Sequence, residues 1–504
     1  MSVIAILLLP LVAAALVCLP FKKVWASGVT VTSSSAVLVL TARIAWMVSL
    51  DKTVVSGLKA GVLKWISVDG LSALILLLIA FIGAAAAIFS VGYMAHGNYK
   101  PKKLRLYYAN YNLFIFSMLA IPVFSEPTLV WIVVELTTLA SALLVSFENT
   151  REALEAAWKY VVLSLMGAGF ALLGFLLLFA AMQASGSKEA YTWSGLVNAA
   201  HSMPPVLLQM AFLLILIGLG TKVGLVPMHT WLPDAHSQAP SPVCALLSGI
   251  ETSVILYVIL RLFPVMQASP NSHAGTWAIV LGLISVGAAA FLLMQVSDYK
   301  RMFAFSTIEH MGIILTAVGL GASAANYGAV WQIVSHCVTK SFCFFAAGAV
   351  LLSAGTREIS AVRGLIRRSP AAGAALVFGA LGITGAPPLA VFLSEFSILK
   401  AGLAQKHYIA TGLLAVFIVI AFFGIMMQVN RMAFGVREND SDAAVPDDHS
   451  GYSGHFTPGN RFHLPFSCSL ALILTAVPVL VLGLYIPPPL QGLLSQAAAV
   501  LTMK

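Results

Sequence analysis

The sequence predicts an all-α, polytopic membrane protein of about fourteen transmembrane helices. Of its 504 residues, 60% are hydrophobic and only 9% are charged, and the mean hydropathy is +0.94. Soluble domains carry about 25% charged residues, and a water-exposed surface cannot hide so much apolar area. The apolar runs are about 20 residues long, which suits a spanning helix and not a barrel strand. Soluble enzymes, nucleic-acid-binding proteins and disordered chains are therefore excluded.

Fourteen apolar runs follow one another along the chain, mostly with short connections. They cover residues 2–20, 27–49, 69–95, 105–124, 127–147, 153–182, 205–228, 242–267, 272–296, 301–322, 326–354, 370–403, 408–434 and 466–490. Two connections are longer. One lies at 186–201, and the other is a polar stretch at 437–463 that we expect to be a surface loop.

Glycine and proline interrupt two of the long spans. The seventh span runs into Pro227, and the twelfth contains Pro387 and Pro388. Proline removes a backbone hydrogen bond, and the freed carbonyl is tolerated at membrane depth only in the protein interior or a wet cavity. The breaks lie five spans apart, which favours two inverted repeats of five helices, a known transporter design. The alternative is that glycine and proline are simply common in membrane helices.

The repeats divide the chain into four parts. Residues 1–104 hold helices 1–3, residues 105–267 hold the first repeat (helices 4–8), and residues 272–434 hold the second (helices 9–13). Residues 435–504 hold a cytoplasmic loop and helix 14.

Lysine and arginine indicate the orientation in the membrane. With both termini outside, the inner loops hold 16 of the 28 cations, the outer segments hold 8, and four fall inside spans. The positive-inside rule favours this arrangement. The net charge of +9 therefore reports orientation and does not indicate nucleic-acid binding. We expect a multi-pass protein of a bacterial or archaeal cytoplasmic (inner) membrane.

Ionisable side chains inside the spans are the candidate functional residues. Each costs about 2.5–3.5 kcal/mol near the bilayer centre on insertion scales, so such groups must face the bundle interior and one another. Lys222 precedes the first break and Glu395 follows the second. The full set is Glu135, Lys159, Lys222, Glu251, Glu309, His310, His336, Lys340 and Glu395.

Two functions fit these buried groups. Glutamate–lysine pairs can simply join helices, and for a single pair that interpretation is the better one. Acid, amine and imidazole groups spread over both repeats instead favour a stepwise proton relay. A buried lysine and a nearby glutamate shift each other's proton affinity, and histidine titrates near neutrality.

No cofactor is expected in this chain. Its five cysteines are scattered in apolar runs without a C-x-x-C pair, which argues against iron–sulfur, zinc and disulfide sites. The connection after the seventh span holds His229, Asp234 and His236. A metal site is conceivable there, but no third or fourth ligand follows at a usual spacing. Capping of the loop and positioning of helices 7 and 8 is favoured.

Four segments resemble the proton-conducting membrane subunits related to respiratory complex I and to multisubunit cation/proton antiporters. They are MHTWLPDAHSQAPSPV from Met228, VDGLS at 68–72, SDYKRMFAFSTIEHMG at 297–312 and the segment around Glu395. Within them IEHMG, together with EALEAAWKY at 152–160, is most similar to hydrogenase-4 component F of formate-hydrogenlyase-type, membrane-bound hydrogenases.

The resemblance implies a fourteen-helix fold with inverted five-helix repeats and broken helices 7 and 12. It also implies an essential glutamate on helix 5, at Glu135, and its partner lysine on helix 7, at Lys222. The terminal charged residue of helix 12 falls on Glu395. The helix 11 pair falls on His336 and Lys340.

Helix 8 departs from the family pattern. Relatives usually carry a central lysine or histidine where this chain has Glu251 between Ser248 and Ser253. Either Glu251 substitutes with opposite charge, or the central connection runs through His310 and water.

The function implied by the resemblance is that of a non-catalytic, proton-translocating subunit in a multisubunit oxidoreductase, most like a group 4 nickel–iron hydrogenase. It would couple redox energy to H+ or Na+ transport, with other membrane subunits and soluble hydrogenase and iron–sulfur subunits as partners. Alternatives are a subunit of an Mrp-type antiporter or of an inorganic-carbon uptake complex, and a membrane anchor that only docks a hydrogenase. The anchor is least favoured, because it leaves the costly buried charges without a function.

Overall fold

Helices make up almost all of the described structure. The computed structural model describes residues 2–20, 23–50, 54–55, 61–97, 99–436 and 462–502. Its N-terminal part contains α1 (Ser2–Val17), α2 (Lys23–Ser49), the paired strands β1 (Val54–Val55) and β2 (Ser67–Val68), and α3 (Gly70–His96). Its C-terminal part contains α20 (Phe466–Leu484) and α21 (Pro488–Val500).

Two helical series lie between these parts. The first contains α4 (Pro101–Val123), α5 (Pro127–Val145), α6 (Arg151–Ala184), α7 (Trp193–Ala199), α8 (Pro205–Val223), α9 (Trp231–Gln238), α10 (Ser241–Leu246), α11 (Thr252–Leu260) and α12 (Phe263–Ala268). A π-helical turn, Leu247–Glu251, joins α10 to α11. The second contains α13 (Ala274–Leu293), α14 (Tyr299–Gly319), α15 (Ser323–Ala354), α16 (Leu365–Arg368), α17 (Pro370–Ile383), α18 (Ala390–Ala404) and α19 (Tyr408–Phe434).

The prediction of an all-α, polytopic membrane protein is confirmed, whereas the number fourteen is not. Twelve helical runs in the described part of the chain are long and apolar enough to cross a membrane. The first predicted span is short, since α1 has 16 residues, and the twelfth is divided between α17 and α18. The loop predicted at 437–463 lies outside the described residues, apart from its last two.

Side-chain caps explain where several helices begin. Asp69 accepts a hydrogen bond from the backbone N–H of Ser72 at the start of α3, and Glu126 accepts one from Leu129 at the start of α5. Thr150 caps α6 and Asp298 caps α14 in the same way. Each cap satisfies a backbone donor that the first helical turn leaves unpaired.

The interior of the bundle is formed by α14, α15 and the run from α10 to α12, in which nearly every residue is buried. α15 packs against α14, α17 and α18, and it also contacts α3, α10 and α20. Polar side chains on these helices are therefore shielded from lipid and must find partners within the protein.

The two helix breaks share one backbone pattern. α8 ends at Gly224 and α17 is followed by Gly385, and both glycines are left-handed, with φ of 88° and 69°. The next residue in each case, Leu225 or Ala386, donates its N–H five residues back, to Gly220 or Leu381. The bonds Val226–Pro227 and Pro387–Pro388 are cis. Two repeats of one structure would have the same backbone geometry at both breaks, as these glycines do. The domain division and the relative orientation of the two copies stay predictions.

Candidate functional site in the bundle interior

Eight of the nine predicted relay residues lie inside the bundle. Seven have buried side chains, with at most 6% of their surface exposed: Lys222, Glu251, Glu309, His310, His336, Lys340 and Glu395. Glu135 is half-buried as a residue, but both of its carboxylate oxygens are shielded from solvent. Lys159 is the exception, because 46% of its side chain is exposed.

Lys222 lies in the last turn of α8, directly before the first break. Its Nζ donates hydrogen bonds to the carbonyl oxygen of Val134, at 2.5 Å, and to the Thr138 hydroxyl. Both acceptors belong to α5. The ammonium also interacts electrostatically with Glu251 and Glu135. It is therefore a buried cation held by one helix and flanked by two acids.

Glu135 is the predicted partner of this lysine, on α5. Neither of its carboxylate oxygens has a hydrogen-bond partner among the described residues, and no ion pair within 4.0 Å joins it to Lys222. Lys222 is the cation that acts on it electrostatically. A buried, unsatisfied carboxylate is costly. The group must therefore depend on the neighbouring charge, on a proton or on water.

Glu251 faces the first repeat and not the second. It lies at the end of the π-helical turn, where its Oε1 accepts a hydrogen bond from the Tyr160 hydroxyl at 3.3 Å. Thr137 bonds to it as well, and Ser141 is 2.7 Å from the same Tyr160 hydroxyl. Glu251 thus gives Lys222 a second acidic neighbour besides Glu135. π-turns of this kind occur often at functional sites.

Predicted helix 8 corresponds to α10, the π-helical turn, α11 and α12 in the structure. Its link to the second repeat runs through Ser248 and His336. The Ser248 hydroxyl is 2.5 Å from that of Thr307, and its carbonyl oxygen is 3.2 Å from Nε2 of His336. The rings of His336 and His310 lie 5.1 Å apart. One of the two alternatives for helix 8 was a central connection through His310 and water; in the structure the side chain in contact with Ser248 is that of His336, and His310 lies behind it.

His310 is fixed by two neighbours. The Gln332 amide lies 2.8 Å from its Nδ1, and the carbonyl of Ile383, at the end of α17, lies 3.0 Å from its Nε2. If Gln332 donates, the ring proton is on Nε2 and donates to the carbonyl freed by the second break. The Ser394 hydroxyl on Oε1 of Gln332 supports this amide orientation.

Lys340 repeats the arrangement of Lys222 in the second series. Its Nζ donates to the carbonyl oxygen of Phe303 at 3.0 Å and to the Ser306 hydroxyl, both on α14. Glu309, on the same helix, interacts with it electrostatically. Lys222 and Lys340 therefore each bind one carbonyl and one hydroxyl of the helix that carries the neighbouring glutamate.

Glu395, on α18, is the last of the predicted relay residues along the chain. Gln332 bonds to its carboxyl group, and Glu309 is the charge that acts on it. A Cβ at Gly385 would lie 2.5 Å from its Oε2, so the second break and this carboxyl group are in direct contact.

Lys159 does not lie among these buried charged residues. Its Nζ lies 2.8 Å from Glu155 and 3.2 Å from Asp234, and Arg301 binds Asp234 at 2.9 Å. The lysine stem is long enough to carry the ammonium out of the helix interior to the rim. The structure therefore places Lys159 in a surface ion-pair cluster, apart from the buried charges.

The loop motif positions α9. Asp234 links it to α6 and α14 through the ion pairs above. Lys300 and Arg357 donate to the Ser237 carbonyl at its C-terminal end, at 3.2 and 2.8 Å. His236 bonds through Nδ1 to the Leu232 carbonyl, and burial lowers its pKa to about 3, so it is neutral. The Pro227 carbonyl lies 3.2 Å from Nδ1 of His229.

Several site residues were missed by sequence reasoning. They are Thr137, Thr138, Tyr160, Ser306 and Gln332. One signal was available: Gln332, His336 and Lys340 recur at intervals of four and so share one face of α15. The hydroxyl residues carry no such signal, because serine and threonine are common in membrane helices.

Two family descriptions match the sequence. Residues 126–423 match "NADH:quinone oxidoreductase/Mrp antiporter, TM", and residues 65–102 match "NADH-Ubiquinone oxidoreductase (complex I), chain 5 N-terminus". The first covers more than half of the chain and contains every predicted site residue.

Named relatives come from three kinds of complex. A hydrogenase-4 component F homolog of Methylacidiphilum infernorum is 37% identical over 84% of this chain and 85% of its own length. Subunit N of the NADH-quinone oxidoreductase of Desulforudis audaxviator is 28% identical over 83% and 81%. Subunit A1 of a Na(+)/H(+) antiporter of Staphylococcus aureus is 31% identical over 70% of this chain, which spans about half of that longer protein (46%).

Two solved structures share the fold over nearly the whole chain. One is that of the membrane-bound sulfane sulfur reductase, an archaeal respiratory membrane complex, with a TM-score of 0.83, 21% identity and coverage of 99% and 97%. The other is the Mrp complex from Dietzia sp. DQ12-45-1b, with a TM-score of 0.83, 19% identity and coverage of 99% and 96%. The match over residues 126–423 and the 37% identical hydrogenase-4 component F homolog show that the chain belongs to the NADH:quinone oxidoreductase/Mrp antiporter family of membrane proteins.

Proposed function

We propose that the protein is a proton-translocating, antiporter-like subunit of a multisubunit membrane oxidoreductase. The observation that carries this proposal is the Glu135 carboxylate, which is buried beside the buried Lys222 ammonium and receives no hydrogen bond from any residue that the structure describes. Structural ion pairs are normally hydrogen-bonded directly. A carboxylate held at a distance from its cation instead suits a pair whose protonation changes during turnover.

The proposed step is an electrostatic proton transfer. A charge change in a neighbouring subunit protonates or displaces Glu135, and Lys222 then loses part of its stabilisation. Its ammonium gives one proton to the Glu251 carboxylate, which leaves a neutral amine and a carboxylic acid. Return of the negative charge at Glu135 raises the proton affinity of Lys222, so that it takes up a new proton.

The onward path follows the described contacts. From Glu251 the path continues to Ser248, whose hydroxyl contacts that of Thr307 on α14 and whose carbonyl contacts His336 on α15. His310, Lys340 and Glu309 follow. Glu395 is the exit group or the link to a neighbouring subunit. Water molecules would bridge the gaps between these groups, because water relays protons between polar side chains.

The redox partner is part of the proposal. The similarity to a hydrogenase-4 component F homolog favours a group 4 nickel–iron hydrogenase, whose soluble hydrogenase and iron–sulfur subunits would supply the energy. The transported ion is H+, with Na+ as the alternative. The location is the cytoplasmic (inner) membrane of a bacterium or archaeon, with both termini outside.

The test replaces the two central charges in the intact complex. In Lys222→Ala and Glu135→Gln variants, we expect redox turnover without proton uptake into proteoliposomes. Glu155→Gln removes an exposed carboxylate on the neighbouring α6 and is the matched control, with uptake as in the wild type. Normal proton uptake by the assembled Lys222→Ala complex would falsify the proposal.

A second candidate is an Mrp-type antiporter subunit without a redox partner, favoured by the antiporter relative and the Mrp structure. Mass spectrometry of the purified complex separates the two, because hydrogenase subunits accompany only the first. A soluble zinc protein in the complex would instead indicate inorganic-carbon uptake. If the Lys222→Ala and Glu135→Gln variants impaired assembly of the complex but not its proton uptake, the chain would be a membrane anchor.

A further inference from the structure

A cavity of about 660 Å³ lies where α5 begins and α6 ends, away from the buried charges. Leu129, Phe175, Leu176 and Phe179 form an apolar part on the two helices. The turn before β2 and the connection after α6 provide Trp65 and Tyr191. Its size is that of a small-molecule site. Its position at the ends of two spans is where lipid headgroups meet acyl chains.

Two opposite charges line this cavity without neutralising each other. Lys64 is exposed and lies over the Trp65 ring at 4.5 Å, and Glu126 caps α5 by accepting the Leu129 N–H at 2.6 Å. Neither side chain forms an ion pair with any other described residue. Both remain available to a ligand that carries an anionic and a cationic group.

We propose that this cavity binds one phosphatidylethanolamine molecule. Its phosphate binds Lys64, its primary ammonium donates to the Glu126 carboxylate, and its upper acyl chains lie along Leu129 and Phe175. The aromatic rings of Trp65 and Tyr191 lie at headgroup level, where such rings are enriched.

The charges select this lipid over others. Phosphatidylglycerol would place a net negative charge beside Glu126. Phosphatidylcholine has the same net charge as phosphatidylethanolamine, but its quaternary ammonium has no N–H to donate to the carboxylate. The proposal is independent of the proton relay, since no relay residue lines the cavity.

The test measures lipid retention by native mass spectrometry. The full-length protein, in its complex, is released from bilayers with equal amounts of phosphatidylethanolamine, phosphatidylglycerol and phosphatidylcholine. We expect the wild type to retain one phosphatidylethanolamine. Lys64→Glu should lower this retention about fivefold or more, as expected for reversal of one basic contact. Glu126→Gln keeps the helix cap and should remove the preference over phosphatidylcholine.

Two further variants separate binding from folding. Leu176→Trp narrows the apolar part of the cavity and should lower retention with both charges intact. Lys188→Glu reverses an exposed cation near the same membrane end, outside the cavity lining, and should leave retention unchanged. Equal retention of all three lipids by the wild type, or undiminished retention by Lys64→Glu, overturns the proposal. So does a helix of another subunit seated in the cavity of the intact complex.

Discussion

Lys222 has two acidic neighbours in this chain, Glu135 on α5 and Glu251 at the end of the π-helical turn before α11. A cation at that position would repel the Lys222 ammonium, whereas the Glu251 carboxylate attracts it. Proton transfer between Lys222 and Glu251 neutralises both groups at once. In a low-dielectric interior this lowers the cost of the intermediate state.

Glu251→Gln tests whether Glu251 takes up the proton from Lys222. Since the amide cannot take up the proton, we expect proton uptake per redox turnover to fall at least about tenfold, the effect of a change near 1.4 kcal/mol. Tyr160→Phe removes one of two donors to the Glu251 carboxylate; because this bond is long, at 3.3 Å, and Thr137 remains, uptake should fall less than in Glu251→Gln. Tyr408→Phe, at an exposed tyrosine on α19, is the control. Wild-type uptake by Glu251→Gln would show that protons bypass helix 8.

The existence of the buried charges can be predicted from sequence, but most of their contacts cannot. A charged residue in an apolar run is visible one position at a time, and this located Lys222, Lys340 and Glu395. Their acceptors are carbonyl oxygens and common hydroxyls such as Thr138, which become specific only when helices pack. The prediction that Lys159 is a buried relay residue was wrong, because its position along α6 does not show that its long side chain reaches Asp234 on α9.

At the scale of elements, the helix breaks were the most predictable feature. Glycine and proline have fixed backbone consequences, so Pro227 and Pro387 indicated the breaks directly. The π-helical turn at Leu247–Glu251 has no such residue signal and depends on packing within the core. α21 was also missed, because the fourteenth predicted span ends at residue 490, three residues into this helix.

Gly385→Ala tests how the second break supports Glu395. The added Cβ would occupy a left-handed residue and lie 2.5 Å from the carboxyl group. We expect a loss of about 2–3 kcal/mol in the free energy of unfolding, together with reduced proton uptake. Gly186→Ala is matched in φ, at 70°, but has no atom within 4 Å of the new Cβ. It should cost only about 1 kcal/mol, measured as thermal unfolding in detergent. Equal shifts in both variants would mean that the contact with Glu395 is unimportant.

At the scale of the whole molecule, an ion pair adds to the packing that joins α3 to the relay-bearing core. Arg261, after α11, lies 2.5 and 2.6 Å from the two carboxylate oxygens of Asp69 and also binds the Ser72 hydroxyl. Burial alone would raise the pKa of Asp69, but the Arg261 guanidinium reverses this and lowers it. The VDGLS segment therefore contributes through this pair, which fixes the end of helix 8 against α3.

Asp69→Asn should therefore destabilise the whole bundle more than a typical surface change. It leaves the Arg261 guanidinium, 6% exposed, without its counter-charge. Loss of one partner of a buried pair costs about 3–5 kcal/mol, and the 32% exposure of Asp69 reduces the expected loss to about 2–3 kcal/mol. Thermal unfolding in detergent measures the shift. Lys103→Gln breaks a 3.9 Å pair with Glu148 at the rim and, as the control, should cost less than about 1 kcal/mol. If the two variants unfold at the same temperature, the first three helices are held to the core by apolar packing, and the Asp69–Arg261 pair only orients the end of helix 8.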